Sequence, residues 1–448
     1  MSLAGSAEQQ LRYQRPSALQ GFDLMLATSG GTAGNELVDH PRLYSGPLGH
    51  PDQAAVALLV VARVARTRFY VPPGMVAAAI RAADPVVTSD SDRVRFESFS
   101  ACCGVYARLD LLPGSLERPA LATGSTNVDF NAPTREALAG VAAGEPLHLD
   151  VGLDEVVLTT LDGTAVERKV PLPDRWLKGF AEVQHVAASM APRLDLDTAQ
   201  TRQFLHALPR QPSRAPVWAA PAPNGARLVS RAVEGAVFAG GPERLRVLEP
   251  LLRFARRLRV YGTPSAPAAA ASTWELELED ARLALVLSPE ASRGFSGEGG
   301  VLLGLAEHGA GDDADDLQKA LDSRPGLDVS YLATVTGMSI ARVLAALPYV
   351  AAAGRVGFDL ADSTWFRRDL PYDRRLLERM HPRLAAAQAL VSAGAVRLVA
   401  GGADVTSGEV GHRVRFAGGH EQCTCPWWGR YRGERGPCKH VLAARLVR

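Results

Sequence analysis

The stretch that decides the C-terminal fold is Cys423-Thr-Cys425-Pro-Trp-Trp-Gly-Arg-Tyr-Arg-Gly-Glu-Arg-Gly-Pro-Cys438-Lys-His440. It holds three of the five cysteines in the chain and a histidine, arranged as two pairs with a single residue between the members of each pair. A closed zinc site has four protein ligands, and thiolate sulfur and imidazole nitrogen are the usual donors. Two matched pairs seldom arise by chance. The sequence therefore predicts a Zn²⁺ site held by Cys423, Cys425, Cys438 and His440.

The local pattern also predicts how the two pairs are presented. The alternation of a strand would direct Cys423 and Cys425 to one side. Pro437 precedes a run that is typical of a short helix, and the positive end of that helix favours a thiolate at Cys438. With strands expected near residues 396–399 and 412–416, the C-terminus is predicted to be a small ββα-like zinc module.

Aromatic and basic side chains alternate between and beside the ligand pairs. Such a set suits phosphate contact with base stacking, a binding surface for a protein partner, or the packing of a small core. The sequence does not separate these three interpretations. The candidate contact residues are Trp427, Arg430, Tyr431, Arg432, Arg435 and Lys439.

Taken together, these residues resemble a SWIM zinc finger. The shared pattern is Cys-x-Cys, twelve residues, then Cys-x-His with Gly436-Pro437 before the second pair, and it covers roughly residues 395–448. The resemblance implies a module that binds DNA or protein. Segments 96–108, 124–131 and 293–299 are similar to bacterial SWIM proteins that are found beside MoxR-type AAA+ ATPases and von Willebrand A proteins. That wider resemblance implies protein partners of those two classes rather than a reaction.

Composition limits the classes of function. The chain has 448 residues, 47% hydrophobic and 22% charged, as in soluble globular proteins. A formal net charge of +1 gives no overall field that would attract nucleic acid or an anionic membrane. Residues 409–448 nevertheless carry eight Lys or Arg against three Glu, a net charge of +5. Electrostatic binding of nucleic acid is therefore expected only near the C-terminus.

Localisation is predicted from three features. The N-terminus lacks a basic segment followed by an apolar one, so no signal peptide is expected. The most apolar run, residues 54–65, is too short to span a bilayer. Thiolate zinc ligands and few cysteines are typical of a reducing compartment. The sequence predicts a cytoplasmic protein with no membrane partner.

The fold class is predicted as multidomain α+β. Within it we expect a helix over residues 52–66, a long strand or a strand pair over 93–112, and a helical stretch over 243–260 that Pro250 kinks or splits. Composition shifts and Pro-rich linkers mark the domain boundaries. The predicted domains are a mixed α+β domain at 1–210, a smaller middle domain at 226–310, a winged helix at 317–372, and a connecting helix with the zinc module at 373–448.

The winged-helix prediction depends on residues 328–347. Leu332, Gly337 and Val343 occupy positions where a helix-turn-helix places its core and its turn glycine, and a hairpin pattern follows. A helix that reads DNA should present Arg, Lys, Asn or Gln to base edges, but the second helix offers only Arg342. The winged helix is therefore predicted as a fold and not as a sequence-specific reader.

Two further clusters offer alternatives. Cys102-Cys103 would provide a nucleophile if a base lay nearby, but adjacent cysteines in an apolar strand are more often packed side chains. Asn127, Asp129 and Asn131 are oxygen ligands at alternating positions, but such residues commonly close turns by bonding the backbone. The packing and turn interpretations are favoured, and the chain is predicted not to be an enzyme.

The leading hypothesis is a zinc-binding adaptor whose C-terminal finger docks DNA or a partner protein, working with an AAA+ ATPase system. The alternative hypothesis is a DNA-binding factor that uses the basic zinc-finger loop and the winged helix. An enzyme is the third and least favoured hypothesis.

Overall fold

The computed structural model of the chain divides into two compact units. One comprises Met1–Trp176, Ser189–Gly294 and Arg368–Pro371, and the other comprises Leu177–Ala188, Phe295–Arg367 and Tyr372–Arg448. The structure describes residues 9–11, 16–33, 36–69, 84–90, 92–152, 170–172, 174–212, 215–263, 269–297, 299–306, 310–321, 328–368, 370, 381–417, 420–433 and 435–448.

Strands dominate the first unit. They are β1 Gln9–Leu11, β2 Ala18–Gln20, β3 Asp23–Leu26, β4 Gly31–Ala33, β5 Glu36–Val38, β6 Tyr44–Pro47, β7 Val86–Ser89, β8 Val94–Phe99, β9 Val105–Leu111, β10 Gly124–Asn127, β11 His148–Val151, β12 Val170–Leu172, β13 Ala191–Asp197, β14 Trp218–Ala222, β15 Gly225–Val229, β16 Val237–Phe238, β17 Arg257–Gly262, β18 Ser272–Leu278 and β19 Ala281–Leu287. The helices that begin in this unit are α1 Pro51–Arg66, α2 Ala132–Ala139, α3 Asp174–Ala187 and α4 Thr198–His206, with 3₁₀ helices at Pro113–Ser115 and Pro242–Leu251.

An eight-stranded antiparallel sheet organises this unit, in the order β10-β7-β8-β9-β19-β18-β17-β13. Because side chains alternate across a strand, one face is apolar and packs against α1 through residues such as Phe96 and Leu109. The opposite face carries charged side chains that pair across strands. Asp110 of β9, for example, lies 3.6 Å from Arg95 of β8 and 3.7 Å from Arg282 of β19.

Smaller sheets complete the unit. Their orders are β2-β3-β11-β6, in which β3 and β11 run parallel, β15-β14-β16, β4-β5 and β1-β12.

Several predicted elements are confirmed here. The helix expected over 52–66 is α1, and of the two alternatives for 93–112, a long strand or a strand pair, the structure shows the pair, β8 and β9. The helix predicted over 243–260 is wrong in its second half, because a 3₁₀ helix ends at Leu251 and β17 begins at Arg257. Pro250 lacks the N–H that a continuing α-helix would use, and the alternation of buried Leu258 and Val260 suits a strand.

The two units do not follow the four consecutive ranges that the sequence predicts. The eight-stranded sheet takes β7 to β10 and β13 from the predicted 1–210 domain and β17 to β19 from the predicted 226–310 domain. Strand β9 pairs directly with β19, from Ala281 opposite Leu111 to Leu287 opposite Val105. The linker composition around residue 216 therefore marks a surface segment within one unit rather than a boundary.

One buried arginine should contribute strongly to the stability of this unit. Arg244 is fully buried, and its guanidinium donates to the carbonyl oxygens of Gly104 and Ser288, each at 2.7 Å. Replacing Arg244 with Met removes these donors, so we expect the free energy of unfolding to fall by about 2–3 kcal/mol. Urea denaturation followed by circular dichroism checks this. The control Arg253→Met removes an exposed arginine, and an equal loss in both variants would contradict the prediction.

The second unit contains the C-terminal end of α3 and the remaining helices of the described residues. Those helices are α5 Val301–Leu305, α6 Ala310–Leu321, α7 Val329–Thr336, α8 Ile340–Ala352, α9 Pro382–Ser392, α10 Pro426–Tyr431 and α11 Lys439–Leu446, with a 3₁₀ helix at Phe295–Gly297. Its strands are β20 Val356–Asp359, β21 Thr364–Arg367, β22 Val396–Val399, β23 Gly402–Ser407, β24 Val410–Ala417 and β25 His420–Cys423. Strands β20 and β21 form a hairpin, and β22 to β25 form a four-stranded antiparallel sheet in chain order. The predicted multidomain α+β fold class is confirmed.

The predicted helix-turn-helix elements are present as α7 and α8. The two helices meet at 103°, within the range of this motif, and Gly337 makes the turn with φ of +69°. Buried Leu332 and Val343 pack in the core that α6, α7 and α8 share, and the β20–β21 hairpin follows. These are the elements of a winged helix, and the winged-helix identity itself stays a prediction.

Within the described ranges, no single helix is long and apolar enough to cross a bilayer. Helices α7 and α8 meet that test only as a pair, by length and composition, across their 103° bend. Of the connecting helix predicted from residue 373, the structure describes α9, and residues 373–380 lie outside the described residues.

Candidate metal centre

Three elements bring the four predicted zinc ligands together. Cys423 ends strand β25, Cys425 caps the N-terminus of α10, and Cys438 caps α11, whose first turn carries His440. All four side chains are buried, and their ligand atoms lie within 4.8 Å of one another. Because the strand ends at Cys423 and a helix begins at Pro426, the predicted strand does not continue through Cys425.

The backbone around the ligands favours negatively charged sulfur. The Cys425 thiol accepts from the backbone N–H of Trp428, and the Cys438 thiol accepts from that of Val441, each at 3.5 Å. Both sulfurs therefore face the positive end of a helix. Since helix N-termini stabilise thiolates, this local structure prepares two of the three sulfurs for a cation.

Hydrogen bonds among the three thiols, together with burial, set their pKa values apart. A hydrogen bond from the Cys423 thiol lowers the pKa of Cys438 to about 4, and the same interaction raises the pKa of Cys423. Burial raises the pKa of Cys425. A cation that binds all three thiolates must displace protons from Cys423 and Cys425, so its affinity falls as the pH falls.

The donor set fits zinc. Three cysteines and one histidine form a common structural zinc site. Around a tetrahedral zinc ion, the ligand atoms of neighbouring residues lie about 3.5–4 Å from one another. Nδ1 of His440 lies 3.8 Å from the sulfur of Cys423. Nε2 of His440 is buried without a hydrogen-bond partner among the described residues. When bound, zinc would join a strand end to two helix N-termini, and so supply folding free energy to a small module.

The aromatic and basic residues beside the site are partly engaged with each other. The ring of Tyr431 lies 4.6 Å from the ring of Trp427, and the guanidinium groups of Arg430 and Arg435 lie 5.2 and 4.6 Å from the Tyr431 ring. Trp427 packs against the core of the zinc module. Packing therefore accounts for much of this set, and its predicted role in nucleic-acid or partner contact stays a prediction.

The remaining members of that set differ in exposure. Arg430 and Arg432 are exposed, whereas Lys439, the first residue of α11, is half-buried. None of the three forms an ion pair with a described residue. Arg413 and Arg445 of the same module, in contrast, pair with Asp404 and Glu421.

Arg383 of α9 is a residue that the sequence analysis missed. Its guanidinium stacks 4.7 Å from the ring of Trp427 and donates to the carbonyl oxygens of Arg435, at 2.7 Å, and Pro437, at 2.8 Å. It therefore holds the segment that leads into Cys438. No sequence signal could have found it, because its partners lie more than fifty residues further along the chain.

Gly436 has a structural role next to these contacts. Its φ is +71°, and a Cβ atom at this position would lie 2.4 Å from the carbonyl oxygen of Gly299. Only glycine fits both the left-handed backbone and this close approach.

The Asn127, Asp129 and Asn131 cluster makes turn and cap contacts. Asn131 caps α2, its Oδ1 accepting from the Thr134 N–H at 2.9 Å, and its Nδ2 donates to Asp129 at 2.9 Å. Asn127 donates to the Asp84 carbonyl oxygen at 3.2 Å. These contacts agree with the favoured turn interpretation.

The cysteine pair lies at the turn between β8 and β9. Cys103 is buried with φ of +57° and donates its thiol to the Arg175 carbonyl oxygen at 3.4 Å. The Cys102 sulfur lies 3.5 Å from the Ser100 hydroxyl. The Cys103 contact agrees with the packing interpretation.

One further group of possible metal ligands was not singled out from the sequence. His50, Glu279 and Asp280 lie together in the first unit, and Nε2 of His50 is 3.4 Å from Asp280. Two of the three are exposed, and exposed carboxylates often gather without a metal. This group lacks the buried soft donors that distinguish the C-terminal site.

Comparison with known proteins supports the C-terminal site. Residues 412–446 match the family model of the SWIM zinc finger. That match and the buried donor set confirm the prediction of zinc as the cofactor, and they indicate a zinc-binding module of the interaction or DNA-binding kind. None of the curated proteins matches the chain.

Two solved structures resemble part of the chain. The proliferating cellular nuclear antigen of Entamoeba histolytica has a TM-score of 0.33 and 10% identity, covering 55% of this chain and 97% of its own. The PCNA of Thermococcus kodakaraensis has a TM-score of 0.32 and 7% identity, and the match covers 55% of this chain and 98% of that protein.

Proposed function

We propose that this chain is a non-enzymatic, zinc-binding interaction protein whose C-terminal module docks a partner protein. The observation that carries the proposal is the donor set, because Cys423, Cys425, Cys438 and His440 are all buried protein ligands. Four protein ligands leave no coordination position for a catalytic water. The zinc therefore stabilises the module and does not activate a substrate.

Features of the second unit support a protein partner. A groove of about 330 Å³ is lined by the zinc ligands Cys425, Cys438 and His440, by apolar residues such as Pro382, Ala386 and Trp427, and by Arg383 and Lys439. Grooves of this kind take aromatic or aliphatic side chains of a partner chain. From the resemblance, the partners would be MoxR-type AAA+ ATPases and von Willebrand A proteins.

The helix-turn-helix supports the same conclusion. Arg342, the one base-reading candidate on α8, forms two hydrogen bonds to the carboxylate of Asp313. On the same pair of helices, Val335 of α7 and Ile340 and Leu344 of α8 are about half exposed. Exposed apolar side chains are typical of a surface that binds protein. Because Arg342 is already paired with Asp313, it is less available to read bases in a DNA groove.

DNA binding is the second candidate function. It is favoured by the net charge of +5 over residues 409–448 and by the exposure of Arg430 and Arg432. Those side chains suit phosphate contact without base reading.

A DNA titration of the zinc-loaded protein separates the two functions. A module that contacts four phosphates through Arg430, Arg432, Arg435 and Lys439 would lose roughly 100-fold in affinity between about 50 and 200 mM salt, and neutralising those four residues would abolish binding. As a protein dock, the wild type should instead bind DNA only weakly, and neutralising the four residues should change that binding little. The matched control neutralises Arg397 and Arg413, two exposed arginines of the same module that pair with Asp404.

The corresponding test for a protein partner titrates the chain with a MoxR-type AAA+ ATPase. Binding is measured by calorimetry at the same two salt concentrations. Binding that persists at the higher salt and is lost on chelating zinc supports the adaptor function. Tight, salt-sensitive DNA binding that the four-residue variant alone loses would overturn it.

A further inference from the structure

We propose that the second unit binds a small oxyanion of the phosphate type in a cavity lined by Lys178, His381 and Arg383. The cavity has a volume of about 200 Å³ and is also lined by Glu182 and Ser296. All of these residues belong to the second unit. The cavity does not include the zinc ligands, but it shares Pro382 and Arg383 with the groove beside them.

His381 is the first observation that points to a ligand. It is only 8% exposed, and its Nε2 has no hydrogen-bond partner among the residues that the structure describes. A buried polar atom without a partner costs about 1–3 kcal/mol, and such atoms in native proteins commonly bind a water or an ion. A bound oxyanion would satisfy this nitrogen.

The protonation of His381 suits that role. Burial, together with the positive charges of Lys178 and Arg383, lowers the pKa of His381 to about 4. The imidazole is therefore neutral near pH 7 and offers a hydrogen bond rather than a charge. In the tautomer that carries the proton on Nε2, it donates to an oxygen of the ligand.

The balance of charge around the cavity favours an anion. Lys178 forms no ion pair with any described residue. Arg383 donates to the carbonyl oxygens of Arg435 and Pro437, and it forms no salt bridge with a described residue. Glu182 is the one acidic residue among the described lining residues. Its carboxylate already accepts from the N–H groups of Gly300, at 2.8 Å, and Val301, at 3.1 Å.

Size and chemistry then define the ligand class. A cavity of this volume holds several waters, which is room for a tetrahedral oxyanion with a small organic group. Lys178 would act as a point charge on the oxyanion. Because Nη1 of Arg383 already donates to two carbonyl oxygens, this guanidinium would contribute its positive charge and its remaining N–H donors. Ser296 supplies a hydroxyl at the wall. Free phosphate and a small phosphate ester share this chemistry.

The test is calorimetric titration of the full-length, zinc-loaded protein with inorganic phosphate and, separately, with glycerol phosphate. Sodium chloride at equal ionic strength is the reference. We expect saturable binding and a saturable rise in Tm, since a ligand that binds only the folded state stabilises it. The tighter of the two ligands identifies whether the source is free phosphate or an ester.

Two variants and one control decide the assignment. Lys178→Met and His381→Leu should each weaken binding at least tenfold. The control Lys319→Met removes a lysine on α6 that pairs with Asp316 and does not line the cavity. Because Lys178 is only half-buried, its variant should fold, which zinc content and circular dichroism verify.

Either of two results would overturn the proposal. One is the absence of any heat or Tm change beyond that in sodium chloride. The other is equal binding by Lys178→Met and Lys319→Met, which would assign the effect to general surface charge. Neither result bears on the docking function of the zinc module, whose tests use DNA and protein ligands.

Discussion

Replacing Cys438 with serine should release zinc and unfold the C-terminal module. Cys438 is both a ligand and the cap of α11, and a serine hydroxyl does not replace a zinc-bound thiolate. The module has a small core in which the three cysteine ligands pack with Val405, Val414 and Val441. Structural zinc contributes about 10–16 kcal/mol to the folding of such peptides, far more than this core supplies alone.

The measurement is zinc content by mass spectrometry, with limited proteolysis of the C-terminus. Chelation of zinc from the wild type should reproduce the proteolysis pattern of the variant. The matched control is Cys102→Ser, a cysteine of the first unit that lies outside the site, and it should keep its zinc. Unchanged zinc content in Cys438→Ser would contradict the ligand assignment.

The candidate site was accessible to sequence reasoning because its ligands are local. Two pairs within eighteen residues, a proline before a helix and a cap position are short-range features. The sequence analysis missed α10, because Pro426-Trp-Trp-Gly429 combines a proline with a glycine that weakens helices. That short helix begins at a capping thiol, Cys425, which accepts from the Trp428 N–H.

The first unit was less accessible, because its central pairing is long-range. Strand β9 was predicted, but about 170 residues separate it from its partner β19 in the chain, and alternation does not identify a partner. The predicted domain ranges followed composition along the chain, whereas the sheet gathers strands across the linker. Arg383 was missed for the same reason, since its contacts exist only in the folded chain.

Replacing Arg368 with Met should destabilise the first unit by about 3–5 kcal/mol. Arg368 and Glu97 are both fully buried, and Nη1 of Arg368 lies 2.7 Å from the Glu97 carboxylate. The same carboxylate oxygen accepts from the Tyr106 hydroxyl at 2.5 Å. Removing the arginine leaves a buried carboxylate without its counter-charge, which is among the most costly single changes in a protein. Urea denaturation followed by tryptophan fluorescence, at constant zinc content, measures the loss.

A second substitution shows that the cost arises from the uncompensated charge. Glu97→Gln in the Arg368→Met background removes that charge, so the double variant should be more stable than Arg368→Met alone. The control is Arg257→Met, which breaks an exposed pair with Asp195 and should cost about 0.2–1 kcal/mol. If Arg368→Met costs no more than this control, the buried pair does not hold the sheet to the segment at residue 368. If Arg368→Met costs several times more than the control, the buried pair stabilises the contact between two segments that lie 271 residues apart. No local pattern in the sequence connects these segments.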